Sequence, residues 1–356
     1  MIRFNNDYNR GTHPAILDAL ARLNDESFDG YGLDSCCERA ESLIKQHLDC
    51  PDARVHFLIG GTQANFTGID CMLKPWEGVL CAETAHIHVH ETGALEHCGH
   101  KCLVLATDNG KLTADQVERE AVLYEQSEIP EHVVAPRVVY ISHPTEVGTI
   151  YTKTELEDIA RICRTHGLYL FIDGARMGYG LAADGADATL ADIAHAADMF
   201  YIGGTKCGAL FGEAVVITNP AIQQGFRNAM KQNGAMLAKG WLLGLQFATL
   251  FEDGLYFRIT EHAISQALRI RDAFQAIGVE QFVPSPTNQQ FFIISDAQKE
   301  ALERDFSFFF DHAIAPDRNV VRFCTAWSTT DEEVDALISA IEKLQQADRV
   351  QQADRV

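Results

Sequence analysis

A lysine in an almost uncharged, glycine-rich stretch is the residue whose setting most clearly suggests chemistry. Lys206 follows a short apolar run and lies among the glycines and apolar side chains of residues 202–210, IGGTKCGAL. Desolvation in such a setting lowers the pKa of an amine, which a lysine that forms a Schiff base needs. A lysine that extends to the surface is the alternative, and these neighbours disfavour it.

An aspartate and an arginine follow another apolar run. In LFIDGARMGYG, residues 170–180, Asp173 ends the run and Arg176 comes shortly after it. Ligands of open α/β sheets bind outside the carboxyl ends of the strands, so a carboxylate at this position points into the expected site. The alternative is an aspartate that only caps the next helix.

A glycine pair before a predicted helix is the third candidate. In LIGGTQAN, residues 58–65, backbone N–H groups and the positive end of a helix dipole would face an anion, so a phosphate could dock at Gly61, Thr62 and Gln63. Alternatively, the glycines only allow the turn. A phosphate cradle, an acid for a pyridinium nitrogen and an amine for an aldehyde are together the parts that a pyridoxal-phosphate site requires.

Three histidines, His86, His88 and His90, alternate with other residues in a single segment. On a strand they would share one face and could bind a metal, whereas on a helix only His86 and His90 are near neighbours. A metal-dependent hydrolase built on His86, His88 and Asp173 is therefore an alternative from another class. It leaves Lys206 unexplained.

The elements that must position these residues alternate between β-rich apolar runs and amphipathic helices. The predicted strands are residues 55–59, 79–82, 102–105, 138–142, 169–173 and 199–202, with helices such as 113–124 and 153–166 between them. This alternation implies an α/β fold with a mostly parallel sheet. We predict a large α/β domain with the N-terminal segment, residues 1–240, and a long helix with a smaller C-terminal α+β domain, residues 241–356.

The composition limits the classes of partner. The net charge of −21 arises from 50 acidic and 29 basic residues spread along the chain, and such a surface repels nucleic acid and anionic lipid. No signal-peptide pattern or membrane-length apolar run is evident, and the ten cysteines are typical of reduced thiols in a chain of this length. We expect a cytoplasmic protein with a small-molecule ligand.

Motifs distributed over nearly the whole chain form a recognisable set. They are FNNDY, GYGLD, GGTQAN, AHIHVHETGA, HPTEVGT, IDGARMGYG, GGTKCG, GAMLAKG and VRFCTAWSTTDEEVD. In these motifs the sequence resembles the low-specificity threonine aldolases and phenylserine aldolases, which are fold-type I pyridoxal-phosphate enzymes. The resemblance implies a fold-type I large domain, pyridoxal 5'-phosphate as cofactor, and a homodimer or homotetramer.

The resemblance also implies roles for individual residues. Lys206 would be the Schiff-base lysine with Thr205 beside it, Asp173 the partner of the pyridine nitrogen with Arg176 next to it, and His86 the residue stacked on the ring. The substrate would be held by Asn6, Tyr31, Arg176 and Arg322, with Arg322 gripping the carboxylate. The cofactor phosphate would lie at Gly61, Thr62 and Gln63.

Three departures from the family pattern stand out. The ring-facing segment is Ser142-His-Pro-Thr-Glu146 rather than a segment rich in Asn and His, and Ala326 stands where a histidine is frequent. The basic residue that often follows the lysine segment is represented by Lys239 or Lys231. These positions leave the contact to the cofactor's ring hydroxyl unassigned.

The resemblance implies a retro-aldol lyase that cleaves L-threonine, L-allo-threonine or a related β-hydroxy-α-amino acid to glycine and an aldehyde. Lys206, His86 and Asp173 would be the catalytic residues, and His86 or a water that it holds is the candidate base. A β-eliminating lyase or an aminotransferase would use the same lysine and acid and is the alternative within this cofactor class.

Overall fold

The computed structural model describes the backbone of residues 1–353 and the side chains of residues 1–344. The strands are β1 (Ile2–Arg3), β2 (Arg54–Leu58), β3 (Glu77–Ala82), β4 (Lys101–Leu105), β5 (Ala135–Ser142), β6 (Tyr169–Asp173), β7 (Met199–Gly203), β8 (Glu213–Ile217), β9 (Glu280–Val283), β10 (Gln289–Ile294), β11 (Phe306–Ser307), β12 (Phe309–Ala315) and β13 (Arg318–Cys324).

Helices separate most of these strands. They are α1 (Pro14–Leu23), α2 (Ser35–Lys45), α3 (Gly61–Met72), α4 (His86–Val89), α5 (Ala94–His97), α6 (Ala114–Glu125), α7 (Lys153–Thr165), α8 (Met177–Leu181), α9 (Leu190–Ala196), α10 (Pro220–Gln223), α11 (Phe226–Gln232), α12 (Trp241–Phe251), α13 (Leu255–Ala276), α14 (Asp296–Glu303) and α15 (Asp331–Ala353), with short 3₁₀ segments at Pro130–His132 and Glu252–Gly254. Nowhere in the described backbone is a helix both long and apolar enough to span a membrane.

Seven strands form the large sheet in the order β2-β8-β7-β6-β5-β3-β4. The pairs β7–β6, β6–β5, β5–β3 and β3–β4 are parallel, and only β8 runs against its neighbours β2 and β7. Parallel strands need crossover connections, which the helices between them supply. The sheet therefore gathers the carboxyl ends of β2, β3, β4, β5, β6 and β7 at one edge.

Both faces of the large sheet are buried, which explains why its strands are continuous apolar runs rather than alternating ones. On β6, Leu170 and Ile172 belong to one hydrophobic cluster and Phe171 to another. The first cluster extends into α2, α7 and α12, and the second into α3 and α11. Capping boxes at Thr113, Thr152 and Thr189 fix the starts of α6, α7 and α9.

The smaller unit is an antiparallel sheet of order β12-β13-β10-β9 packed on α13, α14 and α15. The N-terminal segment joins it, because β1 pairs with β11 in parallel and Phe4 is fully buried in the same hydrophobic cluster. The segment then leaves this cluster and reaches the large sheet, where Asp7 is buried.

The predicted fold class is confirmed, and the six predicted strands of the first two thirds appear within a few residues of their expected bounds. Two further strands expected at residues 290–294 and 320–323 are β10 and β13. Strands β1, β8, β9, β11 and β12 were not predicted. β12 is exposed along its whole length, so it carries no burial pattern from which it could be identified. The chain from Pro220 to Phe251, expected from the sequence to be one long helical region, forms the three helices α10, α11 and α12. The division at residue 240 stays a prediction. The hexapeptide QQADRV occurs twice in succession, at residues 345–350 and 351–356, and lies beyond the side chains that the structure describes.

Gly244 allows α12 to approach α2 more closely than any side chain would. A Cβ built on Gly244 would lie 2.4 Å from the backbone nitrogen of Cys37, so Gly244→Ala should force the helices apart. Overpacking of this kind costs about 1–3 kcal/mol or more, which exceeds the roughly 1 kcal/mol that alanine gains in helix propensity. We expect a lower free energy of unfolding in denaturant titrations.

Gly11→Ala is the matched control, because no atom lies within 4 Å of a Cβ at Gly11. Equal stability of the Gly244→Ala variant and this control would show that the α2–α12 contact is looser than described.

Candidate active site

A cavity of about 230 Å³ opens at the sheet edge where the parallel strands end. Because their carboxyl ends meet at one edge, residues far apart in the sequence come together there. The candidate residues that line the cavity are Gly61, Thr62, His86, Asp173, Arg176, Thr205 and Lys206. The anion cradle, the acid and the amine identified from the sequence therefore share one cavity.

Lys206 lies in a tight turn between β7 and β8. The backbone N–H groups of Gly204 and Thr205 both donate to the carbonyl of Gly212, at 3.0 and 3.1 Å, and a Cβ on Gly204 would lie 2.7 Å from that oxygen. Burial and then the nearby Arg176 guanidinium lower the pKa of the Lys206 amine, since both disfavour the charged form. The turn thus presents an amine that loses its proton more readily than a free lysine.

Asp173 ends β6 and is almost fully buried. Its Oδ2 accepts hydrogen bonds from Tyr140 Oη (2.5 Å) and Asn65 Nδ2 (3.0 Å), and its Oδ1 accepts from the Ala175 N–H (2.9 Å). Burial alone would raise the pKa of Asp173, but the charge of His86 and the hydrogen bonds from Tyr140, Tyr201 and the Ala175 backbone together outweigh burial and lower it. The carboxylate is therefore held in its ionised form inside the cavity.

The amino end of α3 faces the same cavity. Gly60 is the N-cap, and no side chain caps the first turn, so Gly61 and Thr62 can offer backbone N–H groups to an anion. The side chain of Gln63 is not part of the lining, and its Nε2 donates to the Asn233 carbonyl at 3.1 Å. Gln63 therefore secures the turn, and its predicted contact with phosphate could involve only its backbone.

Arg176 lines the cavity but is already paired. Its Nε and Nη2 donate to Asp7 Oδ2 (2.7 Å) and Oδ1 (3.1 Å), and Asn288 Nδ2 also donates to Asp7 at 2.9 Å. Burial would raise the pKa of Asp7, but the charges of Arg176 and Lys206 together with the hydrogen bonds from Arg176 and Asn288 outweigh burial and lower it. Asp7 was missed in the sequence, where no local pattern links it to an arginine 169 positions away.

Asn6 and Tyr31 lie outside the cavity lining. The Oδ1 of Asn6 accepts from the Tyr8 N–H at 3.1 Å, a contact within the N-terminal segment. Tyr31 is 45% exposed, with the Lys231 ammonium 4.9 Å from its ring centroid. Within one chain, neither residue meets Lys206.

Arg322 also lies beside the cavity rather than in its lining. Its Nη1 donates to Gln289 Oε1 (3.1 Å) and its Nη2 to the Asn5 carbonyl (3.2 Å), while its guanidinium stacks on the Phe309 ring at 4.8 Å. Its Nε is buried without a partner in the described chain. The small sheet and the N-terminal segment thus fix the guanidinium, and its Nε–H remains free to donate a hydrogen bond.

Two glutamates in the lining, the buried Glu213 and the half-buried Glu146, were not predicted as site residues. Glu213 accepts from Thr205 Oγ1 (2.8 Å) and the Gly204 N–H (3.1 Å), and burial raises the pKa of its carboxyl to about 8. Glu146 accepts from Ser142 Oγ (2.6 Å), and burial also raises its pKa. In the sequence, Glu213 is the one charged residue of the otherwise apolar run EAVVI, and this position could have identified it as a candidate site residue.

The histidine run forms a helix rather than a strand. His86 begins α4 and lines the cavity, whereas His88 and His90 are exposed. Across the part of the chain that is described, no group of three or more His, Cys, Asp or Glu side chains could hold a metal ion. The hydrolase alternative built on His86, His88 and Asp173 is therefore not favoured.

Comparison with known proteins places this arrangement in a family. The family model for beta-eliminating lyases matches residues 7–297. A low-specificity L-threonine aldolase of Pseudomonas sp. strain NCIMB 10558 is 31% identical over 97% of this chain and 98% of its own length. The solved structure of a threonine aldolase from Leishmania major is 43% identical, with a TM-score of 0.94 over 97% of this chain and all of that one.

A more distant likeness shows the fold alone. A mutant aspartate aminotransferase of Thermus thermophilus is 13% identical, with a TM-score of 0.69 over 97% of this chain and 91% of that one. The large domain is thus of the fold-type I class. The chain belongs to the beta-eliminating lyase family, in the group that contains the low-specificity L-threonine aldolases.

Proposed function

We propose that this chain is a pyridoxal-phosphate-dependent carbon–carbon lyase that cleaves L-threonine, L-allo-threonine or a related β-hydroxy-α-amino acid to glycine and an aldehyde. The observation that carries the proposal is the meeting of Lys206, Asp173 and His86 in one cavity of a chain whose relatives are named threonine aldolases. β-Elimination and transamination would use the same lysine and acid, but these names do not favour them. The small amino-acid substrate and the acidic protein surface fit a cytoplasmic enzyme without nucleic-acid or membrane partners.

The chemistry of the side chains fits the cofactor. The Lys206 amine has no hydrogen-bond partner within residues 1–344 and its pKa is lowered, so it is available to an aldehyde. The ionised Asp173 suits a pyridinium nitrogen, and the uncapped turn at Gly61 and Thr62 suits a phosphate. Bound there, pyridoxal phosphate would supply an aldehyde for the substrate amine and a protonated ring that withdraws electrons.

The protein's own residues would do the remaining work. Arg322 would orient the substrate carboxylate, with Asn6 nearby in the N-terminal segment, and so fix the direction of the Cα–Cβ bond. His86 would accept the proton of the β-hydroxyl group. Asp173 would stabilise the positive charge on the protonated ring nitrogen of the cofactor. The Asp7–Arg176 pair would hold the cavity wall next to Lys206 in a fixed position.

We also propose that the working form is a homodimer or homotetramer. Large apolar side chains are exposed near Tyr31, including Leu33 at 68%, as expected of a surface that pairs with a second copy. Tyr31 and the nearby Lys231 do not reach the cavity of their own chain. At this surface they would face the cavity of the second copy, Tyr31 as a contact of the substrate and Lys231 as the basic residue of the family pattern.

Lys206→Ala should abolish threonine cleavage, because no other amine is presented to the cavity by a comparable turn. The variant should also lose the visible absorbance of covalently bound cofactor. Spectra and glycine release would be measured beside Lys74→Ala, which removes an exposed lysine. Retention of both signals in Lys206→Ala would refute the proposed function.

Asp173→Asn should lower kcat by roughly 100- to 1000-fold, the scale for a preorganised electrostatic group. The amide cannot balance a pyridinium charge, and its NH₂ group would oppose the Tyr140 or Ala175 donor. Asp198→Asn is the control, because Asp198 also accepts a backbone hydrogen bond, from Leu170 at 2.8 Å, away from the cavity. Near-normal steady-state turnover of Asp173→Asn would reduce Asp173 to a structural role.

Arg322→Lys should raise KM for L-threonine and lower kcat, because an ammonium cannot form the two-pronged contact of a guanidinium with a carboxylate. Loss of one charged hydrogen bond, about 1.5–3 kcal/mol, corresponds to roughly 10- to 100-fold in kcat/KM. Arg318→Lys, on the same strand but paired with Glu280 at the surface, should change neither constant. Unchanged kinetics for Arg322→Lys would move the carboxylate contact elsewhere.

A further inference from the structure

The imidazole of His86 is tied to a buried carboxylate that the proposed function does not use. His86 Nδ1 lies 2.8 Å from Glu91 Oε1, and the Glu91 side chain has no exposed surface whereas that of His86 is 34% exposed. We propose that Glu91 is the positioning residue that holds Nδ1–H of His86 and leaves Nε2 as the proton acceptor for the substrate's β-hydroxyl group. This inference rests on the proposed function and adds to it the residue that orients its base.

The local backbone brings the two side chains together. His86 opens α4, the N–H of His90 donates to the His86 carbonyl at 2.9 Å, and the chain then turns at Thr92 and Gly93, which both have positive φ. Glu91 therefore folds back under the helical turn instead of pointing to solvent. The contact is built by the segment HIHVHETG itself and does not depend on a distant loop.

Asn65 fixes which atom carries the shared proton. Its Nδ2 donates to Glu91 Oε1 (2.8 Å) and to Asp173 Oδ2 (3.0 Å). An amide NH₂ group can only donate, so Glu91 Oε1 is an acceptor in this contact. The arrangement favours the neutral tautomer of His86 with hydrogen on Nδ1, since the same oxygen then accepts from both neighbours.

The other ring nitrogen is open to the cavity. Nε2 of His86 has no hydrogen-bond partner within residues 1–344, and the residue lines the cavity with Asp173 and Lys206. A substrate hydroxyl group that entered here would meet an unprotonated nitrogen. General bases of this kind contribute roughly 10²–10⁴-fold to rate.

Several charged groups besides Glu91 face His86. At the sheet edge, the charge of Asp173 raises the pKa of His86 and the charge of Lys206 lowers it. The Glu146 carboxylate accepts a hydrogen bond from the backbone N–H of His86 at 3.0 Å, and the centroid of the His90 ring lies 5.6 Å from that of His86. Burial lowers the pKa of His86, but the hydrogen bond to Glu91 and the charge of Asp173 outweigh it and raise the pKa. Glu91 thus makes the imidazole a stronger base.

The step balances without a further reactant. The β-oxygen gives its proton to Nε2, and the former O–H pair becomes the second carbon–oxygen bond of the aldehyde. The Cα–Cβ pair stays with the glycine half, which then takes up one proton, so no net proton is consumed. His86 can return the proton that it accepted.

Glu91→Gln tests the assignment, because it keeps the size and the acceptor oxygen but removes the charge. In the cofactor-free protein, carbethoxylation of His86 by diethyl pyrocarbonate, followed by peptide mass spectrometry against pH, reports the fraction of neutral imidazole. The midpoint should move to lower pH in Glu91→Gln. Glu96→Gln, which removes the same charge from an exposed position on α5, should leave it unchanged.

In the loaded enzyme, the acidic limb of the kcat/KM profile should shift in the same direction. The plateau should fall roughly tenfold, since a weaker base transfers the proton less well, and KM should change little. A purely structural role of Glu91 would lower activity or stability without moving either midpoint, and that result would overturn the proposal.

A measurement on the unmodified protein guards against a variant that does not fold. The ¹⁵N shifts of labelled His86 should show the neutral tautomer protonated at Nδ1, and protonation at Nε2 would overturn the proposal directly. Failure of the proposed function is distinguishable, because absent threonine cleavage by wild type would leave the tautomer and the carbethoxylation midpoints as independent results.

Discussion

The charge on Asp173 is the constraint on which the rest of the site depends. A carboxylate at the end of a buried strand is ionised only if donors surround it, because desolvation otherwise favours the neutral acid. Here the donors come from β5 through Tyr140, from α3 through Asn65 and from the next turn through Ala175. The sheet order puts β5 and β7 on either side of β6. The elements around β6 therefore supply the hydrogen bonds that water would otherwise give to the Asp173 carboxylate.

The same hydrogen bonds link other side chains of the cavity. Asn65 connects Asp173 to Glu91, and Glu91 contacts His86, so the Asp173 carboxylate and the His86 imidazole share one hydrogen-bonded chain. Glu213 lines the same cavity as Lys206 and accepts hydrogen bonds from Gly204 and Thr205, in the turn that presents the lysine. Burial raises the pKa of Glu213 to about 8 and lowers the pKa of Lys206, so it favours the neutral form of both groups.

Local sequence patterns were sufficient for the parallel strands, because apolar runs such as YLFID are long enough and bounded clearly by glycine turns. They were also sufficient for Lys206 and Asp173, which follow such runs directly. They were insufficient for Asp7, Glu91 and Tyr140. Asp7 meets Arg176 only through tertiary folding. Tyr140 has the pattern of an ordinary apolar strand residue, although its hydroxyl group donates a hydrogen bond to Asp173. β12 carries no periodic burial, so its existence follows from pairing with β13 rather than from its own residues.

The N-terminal segment connects both parts of the molecule. β1 pairs with β11, Phe4 is buried in the small hydrophobic cluster, and Asp7 holds Arg176 in the cavity wall. Contacts between residues some 300 positions apart carry a large loop-closure entropy and form late in folding. During synthesis, residues 2–7 leave the ribosome long before the strand with which they pair, so the cavity wall is completed only when the last third of the described chain has folded.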